Sequence, residues 1–412
     1  VRPGFEIAVI GGGLAGACAA ALLVRHARIE PARVLLLAPE RLPPAVLSAP
    51  PELRVAALSR SSERILRAAA AWERLDLARL TAYEHMRVWH ETAEPDGPAA
   101  LHFDAADVGE PNLGVIAEIS ALQRACQASF CAAGGTLIEA PLDALQIDAQ
   151  AVSLQCGGTL HTARLAVGAD GARSMVRERA GIPARVRSYG QQALVATVAT
   201  AVEHRHTAWQ RFLRGGPLAL LPLFDGSSSL VWSLDEEEAQ RWRDADVAEF
   251  ESRLESAAAG VLGAMRLTAQ RLCFPLHSLA ARSYVAARCA LIGDAAHVIH
   301  PLAGQGANLG LLDAAALCDA VAGGVAERED PGALRVLRRY EQQRRTHNLA
   351  MDAAMSAFRF GFASVRGPSA WWLNGALARL NRSTELKRLL ARAALGLVGE
   401  LPSLALGSPG RG

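Results

Sequence analysis

The sequence predicts an α/β (α+β) chain in three parts: a domain on a mixed or parallel sheet, a second domain on an antiparallel sheet, and a helical C-terminal region. Three observations predict it. The opening 40 residues read as strand, glycine-rich turn, helix and strand. Segments 83–119 and 190–275 break into short alternating stretches, and from 306 onward the apolar spacing is helical.

Each element follows from its residues. "FEIAVI" (5–10) is a short apolar run with strand propensity, "GGGLAG" (11–16) a turn, the Ala/Leu-rich stretch to about Arg28 a helix, and "RVLLLAP" (33–39) a second strand. The prolines of "LPPAVLSAPPE" (42–52) predict a loop, and "SSERILRAAAAWERL" (61–75) an amphipathic helix opening on a serine cap. "MRVWHE", "ALHFDA" and "LGVIAEI" predict antiparallel strands. A helix over 120–133 returns the chain to sheet in "GGTLIEA", "AVSLQC" and "TARLAVGADG". "ALVATVATAV", "WQRFLRGGPLALLPL" and "SSLVWSL" predict the strands of the second domain, followed by a charged helix over 236–258. Residues 1–82, 120–189 and 276–345 are thus expected to form one discontinuous domain, 83–119 to lend strands to the antiparallel-sheet domain that 190–275 build, and 346–412 to form the helical region.

The composition, 51% hydrophobic and 20% charged with mean hydropathy +0.14, is that of a globular protein. A net charge of +2 and the lack of a nucleic-acid-binding signature argue against a nucleic-acid partner. Seven cysteines without a Cys-x-x-Cys pair read as reduced thiols. With no leader-like segment and no run of about 20 apolar residues, the expectation is a cytoplasmic protein, at most peripheral on the inner face of a membrane.

Gly11-Gly12-Gly13-Leu14-Ala15-Gly16 satisfies G-x-G-x-x-G between a strand and a helix, the Rossmann-like dinucleotide fingerprint. Its glycines permit a tight turn, close approach to a pyrophosphate and close helix packing, while the helix N-terminus favours negative charge. Gly11, Gly13, Leu14, Ala15 and Gly16 are therefore cofactor-binding candidates. The acidic residue expected at the end of the second strand is replaced by Ala38, with Glu40 the nearest acid, so this motif leaves FAD and NAD open.

Two further runs, "VGADGARSMVR" (167–177) and "LIGDAAHVIHPLAGQGANLGLLDA" (291–314), follow in an order and spacing that resemble the para-hydroxybenzoate hydroxylase class of flavoprotein monooxygenases. "ELRVAALSRSS" (52–62) and "GGPLALLPLFDGSSSLVWS" (215–233) resemble its UbiH/UbiF/VisC branch of ubiquinone-biosynthesis hydroxylases, over about residues 5–400. The resemblance implies FAD as cofactor and NADPH or NADH as co-substrate. It implies that Gly293 and Asp294 bind the ribityl or ribose hydroxyls, that Pro301 lies near the flavin ring, and that the Gly304-Gln305-Gly306 turn opens a helix over 306–320 facing the pyrimidine edge. Asn308 is a further polar contact. Asp170 and Gly171, continued by Ser174 and Arg177, match the motif implicated in FAD and NAD(P)H binding. Arg54 matches a cofactor-contacting arginine, and Arg124 is a candidate of the same kind, with a solvated face or ion pair as the alternative for both.

In this class the cofactor carries the chemistry and the protein positions it. The implied reaction is hydroxylation of a prenylated phenol with NAD(P)H and O2, through a flavin C4a-hydroperoxide that must be shielded from water. No side chain is assigned as nucleophile. The apolar run Leu220-Leu221-Pro222-Leu223 with Trp232 is the expected substrate face, Leu221, Leu223 and Trp232 being its assigned residues. His297 and His300 lack partners at ligand spacing, so no metal is expected and both read as supporting residues beside the flavin. The basic, aromatic segment 355–399, including Arg382, Lys387, Arg388 and Arg392, suits either a packed helical subdomain or a membrane surface. Alternatives left open are a hydroxylase of small soluble aromatics, a flavin-dependent prenyl-lipid reductase, and a non-catalytic subunit of a quinone-biosynthesis complex; a halogenase shares the flavin motifs, but its Trp-x-Trp-x-Ile-Pro segment is absent. The oligomeric state is not read from the sequence.

Overall fold

The computed structural model of the chain describes residues 4–39, 42–43, 46, 48–300, 305–363, 368–396 and 399–406. Among these residues, three sheets organise the molecule. The nucleotide sheet has Phe5–Ile10 at its centre, paired in parallel with Thr159–Gly168 on one side and Val34–Ala38 on the other. Thr136–Glu139 extends it in parallel beyond Val34–Ala38, and Cys289–Leu291 beyond Thr159–Gly168. The central strands are buried on both faces, and Leu145, Val152 and Leu154 of the antiparallel strands Leu142–Ile147 and Val152–Cys156 share their core with Leu14–His26. Leu14–His26 packs against Ile119–Ala132 and against the long helix Gln305–Ala326.

The large sheet runs in the order His297–Val298, Leu272–Ala281, Ala184–Thr200, Ser228–Asp235, Gly216–Pro222, Thr207–Leu213, His85–His90, Leu101–Asp104, with Met265–Leu267 also on Ala184–Thr200. Its pairs are antiparallel except Thr207–Leu213 on His85–His90. Glu236–Asp244 and Val247–Ala257 cover one face, with Trp232, Leu220, Leu230, Trp242 and Phe250 in the core between. The small sheet pairs Gly114–Glu118 with Val55–Leu58 and Thr81–Tyr83.

Several boundaries differ from those expected. The segment 83–119 is divided: His85–His90 and Leu101–Asp104 join the large sheet, while Gly114–Glu118 turns back to the small one. The large sheet begins before 190 and ends beyond 275, since Ala184–Thr200 and Leu272–Ala281 pair along nearly their whole length. "WQRFLRGGPLALLPL" is a hairpin, folded at Arg214 and Gly215, because Trp209 pairs with Leu220 and Leu213 with Gly216. The charged helix is two, the second capped by the Asp246 carboxylate, which accepts from the Ala248 N–H at 2.9 Å.

Among the described residues one helix, Gly306–Ala326 with mean hydropathy 1.6, is long and apolar enough to cross a membrane, contrary to the expectation of no such run. Most of it is buried inside this domain, where its apolar surface faces the glycine-loop helix and Leu334–Ala363. All seven cysteines are free thiols.

Candidate cofactor and substrate site

The glycine loop owes its shape to contacts that exclude side chains. Gly11 has φ +114°, and a Cβ there would lie 2.2 Å from the carbonyl oxygen of Ala169. A Cβ at Gly16 would lie 2.0 Å from the Gly11 carbonyl oxygen, and one at Gly12 2.4 Å from the Ala38 Cβ. Gly13 is different: a Cβ there would meet nothing within 4 Å. Gly13 is the N-cap of Leu14–His26 and offers no capping side chain, so the first N–H groups of that helix face open space. A turn packed tightly behind and open in front, ending on a helix N-terminus, fits a pyrophosphate. The loop is held from the side by Gln127, whose Nε2 donates to the Gly12 carbonyl at 2.9 Å.

The second opening lies at the Gly293-Asp294 motif. Gly293 takes φ +57°, and the Cβ of Ala15 would stand 3.1 Å from a Cβ at Gly293 or at Gly310, so the glycine-loop helix, this motif and Gln305–Ala326 meet at small residues. The Asp294 carboxylate reaches solvent and has no hydrogen-bond partner among the described residues. Desolvation by the surrounding wall raises its pKa, with His297, Arg54 and His277 drawing it back. An unpartnered acceptor beside an open glycine loop suits sugar or ribityl hydroxyls. Gly306, in the first turn of its helix, again has nothing within 4 Å of a Cβ. Glu40, Pro301 and Gly304 lie outside the described residues, as does the side chain of Gln305.

Other candidates spend their polar atoms within the protein. Both oxygens of Asp170 are engaged, one by the Ser174 hydroxyl at 2.5 Å and one by the Val176 N–H at 3.0 Å. Ser174 in turn caps Met175–Arg179. Arg177 donates to the carbonyls of Ala172 and Ala295 at 2.7 and 2.9 Å, tying this motif to the Asp294 turn. Gly171, at φ +80°, has nothing within 4 Å of a Cβ. Asn308, expected as a cofactor contact, is buried: its oxygen accepts from the Ser59 N–H at 2.9 Å and the Ser62 hydroxyl at 2.7 Å, and its nitrogen donates to the Ala57 carbonyl at 2.9 Å. It anchors Gln305–Ala326 to Val55–Leu58 and Arg60–Ala68. Arg54 is exposed at the start of Val55–Leu58, near enough to Asp294 to act on its charge. Arg124 forms a loose ion pair with Glu52 at 3.8 Å.

Beneath Asp294 lies a polar network absent from the expectations. Asp313, fully buried in an apolar helix, accepts from the Gly293 N–H at 3.0 Å, Arg344 Nε at 2.9 Å and Asn348 Nδ2 at 3.2 Å, and pairs with His297 Nε2 at 2.5 Å. Burial alone would raise its carboxyl, but the charges and hydrogen bonds of His297 and Arg344 outweigh that and hold it well below the usual carboxylate range. The signal available in sequence was a lone acid in "LGLLDAAAL" and the Arg344/Asn348 pair one helical turn apart. Among the described residues no group of three His, Cys, Asp or Glu is placed to hold a metal ion.

Strand register separates the residues expected on the substrate face. Leu218 pairs with Trp232 and Leu220 with Leu230, so Leu220 and Trp232 point together into the closed core under Glu236–Asp244 and Val247–Ala257. Trp232 is 1% exposed there and does not line a substrate face. Leu221 pairs with Ser229 and faces the other way, where it and Leu223 meet Ala57, Ile116, Val55 and Tyr83 of the small sheet. Ala193, Val195, Leu276 and Val231 continue this apolar surface towards Leu53.

Comparison with known proteins fits this geometry. The family described as "FAD binding domain" matches residues 142–354. The 3-demethoxyubiquinol 3-hydroxylase of Escherichia coli (strain K12) is 33% identical over 397 residues, covering 95% of this chain and 98% of that protein. Ubiquinone hydroxylase UbiL of Rhodospirillum rubrum is 35% identical over 411 residues, covering 98% and 93%. The human mitochondrial ubiquinone biosynthesis monooxygenase COQ6 is 31% identical over 433 residues, covering 93% and 91%. Among solved structures, p-nitrophenol 4-monooxygenase PnpA from Pseudomonas putida DLL-E4 superposes with TM-score 0.75 at 19% identity, covering 95% and 98%. PqsL of P. aeruginosa does so with TM-score 0.73 at 24%, covering 92% and 100%. These two establish the fold. The open glycine loop, the free Asp294 carboxylate and the full-length relatives together define an FAD-dependent enzyme, and the chain belongs to the FAD-binding-domain monooxygenases that include the ubiquinone-biosynthesis hydroxylases.

Proposed function

We propose that this enzyme hydroxylates the ring of a prenylated phenol in ubiquinone biosynthesis, using NADPH or NADH and O2. The observation that carries the reading is end-to-end similarity to relatives named as ubiquinone hydroxylases, at 31–35% identity. FAD, when bound, supplies the redox and oxygen chemistry. The chain's own residues bind and shield. The N–H groups after Gly13 would hold its pyrophosphate, Asp294 would accept from its hydroxyls, and the first helical turn at Gly306 would offer backbone N–H groups where negative charge is favoured. Leu221, Leu223, Val231 and Leu53 form an apolar wall that holds a prenylated ring and excludes water, which in such a site would divert oxygen to peroxide.

The test is NAD(P)H consumption by the FAD-loaded protein with and without a prenylated phenol, together with peroxide release and the mass of the phenol. Faster consumption, little peroxide and a product heavier by one oxygen atom support the reading. An unchanged rate with every phenol, prenylated or not, refutes it. Because such a substrate resides in lipid, we place the reaction at the inner face of a membrane. Lys387 and Arg388 of Thr384–Ala394 contact Asp107, which follows Leu101–Asp104 of the large sheet, so only part of this basic helix is free for lipid. Flotation with anionic liposomes, compared with an Arg382/Arg388/Arg392 charge-reversed variant, tests the placement. Equal absence of binding removes it.

A further inference from the structure

Away from the glycine loop, a cavity of about 400 Å³ opens between two strand ends and a helix. Pro183, Ala184 and Arg185 form one side, Ala280, Ala281 and Arg282 the second, and Arg345 and Leu349 of Leu334–Ala363 the third, with Tyr284 also in the lining. Arg185, Arg282 and Arg345 are exposed, and none makes an ion pair or side-chain hydrogen bond among the described residues. No acidic side chain lines the cavity.

We propose that this cavity is a binding site for a phosphate-bearing ligand with an apolar portion. Arginines from three separate segments line one concave space whose remaining walls are Pro, Ala, Leu and Tyr. Guanidinium forks match the oxygens of phosphate, and three of them neutralise the two or more negative charges of a phosphate monoester or diphosphate. A single carboxylate would leave two uncompensated. The apolar walls, including the exposed Leu349, suit the non-polar part of such a ligand. The ring of Tyr284 lies 5.7 Å from that of His297, so the cavity abuts the network that underlies Asp294.

The experiment uses the FAD-loaded full chain, in which the pyrophosphate site of the glycine loop is already filled. Inorganic pyrophosphate binding is measured by titration calorimetry for the native protein, R282Q/R345Q, R185Q, and R338Q as an exposed control. Flavin absorbance and circular dichroism report folding of each. The site predicts affinity lower by about tenfold or more in R282Q/R345Q and in R185Q, and unchanged in R338Q. Sedimentation with phosphatidylglycerol vesicles, against phosphatidylcholine, distinguishes the source. Vesicle binding lost in R282Q/R345Q identifies a lipid headgroup, whereas pyrophosphate binding without vesicle binding identifies a soluble phosphate ester. Absence of pyrophosphate binding, or equal affinity in all four proteins, overturns the proposal.

Discussion

His297 Nε2 lies 2.5 Å from Asp313 Oδ2, inside the protein and directly beneath the turn that carries Asp294. The same carboxylate takes Arg344 on its other oxygen, so one buried acid joins the Asp294 turn, Gln305–Ala326 and Leu334–Ala363. Removing one member of such a network leaves the others charged or unpaired in a medium that solvates them poorly.

Asp313→Asn is therefore expected to lose about 3–5 kcal/mol of stability, read by urea denaturation at neutral pH. The pH dependence follows from the depressed Asp313 carboxyl. A carboxyl whose folded pKa lies below its unfolded value contributes stability above the ordinary range, near 4, and loses it as pH falls towards the folded pKa. The native protein should weaken in acid below about pH 4, and the difference between native and Asp313→Asn should shrink over that range. A constant difference down to pH 2 would contradict the assignment.

The glycine loop separates folding from cofactor binding at neighbouring positions. Gly11→Ala meets the Ala169 carbonyl at 2.2 Å in a left-handed backbone region, so it should lower the melting temperature of the FAD-free protein. Gly13→Ala meets no protein atom and should leave that temperature unchanged while weakening FAD retention by about tenfold or more. FAD content after gel filtration and melting of the FAD-free protein together check both.

Asp294 carries a stability cost. Its raised pKa means that stability from this group is present below the unfolded pKa and lost as pH rises through the folded one, so at neutral pH its ionised form opposes folding. The FAD-free Asp294→Ala protein should be at least as stable as native at pH 7, yet bind FAD about tenfold or more weakly. A clear drop in FAD-free stability would indicate a structural role instead.

Register predicts opposite behaviour for two residues on adjacent strands. Trp232→Ala should cost about 3–5 kcal/mol in denaturation and leave the preference among phenols intact, since it empties the closed core. Leu221→Trp should change relative kcat/KM among phenols of different tail length by about tenfold with a smaller stability change, because it fills the face towards the small sheet.

Much of the nucleotide-binding part was legible from the chain because its constraints are local. A strand, a turn that only glycine can make and a helix that follows at once are dictated by neighbours in sequence, and Gly11, Gly13 and Gly16 are placed by that logic. The same holds for the strands of the large sheet, whose alternation marks their existence. Tertiary structure decided what alternation cannot: which of the two faces is the inner one. That choice depends on pairing with a strand elsewhere in the chain, and a shift of one residue reverses it, which is why the sequence alone groups Trp232 with Leu221 although they point apart. Tertiary structure also decided that Asn308 joins Ser59 and Ala57, about 250 residues away, and that Asp313, Arg344 and His297 form one network. Polar side chains of this kind are indistinguishable in sequence from ligand-binding ones, because the same acceptors serve either role and only their distant partners show which.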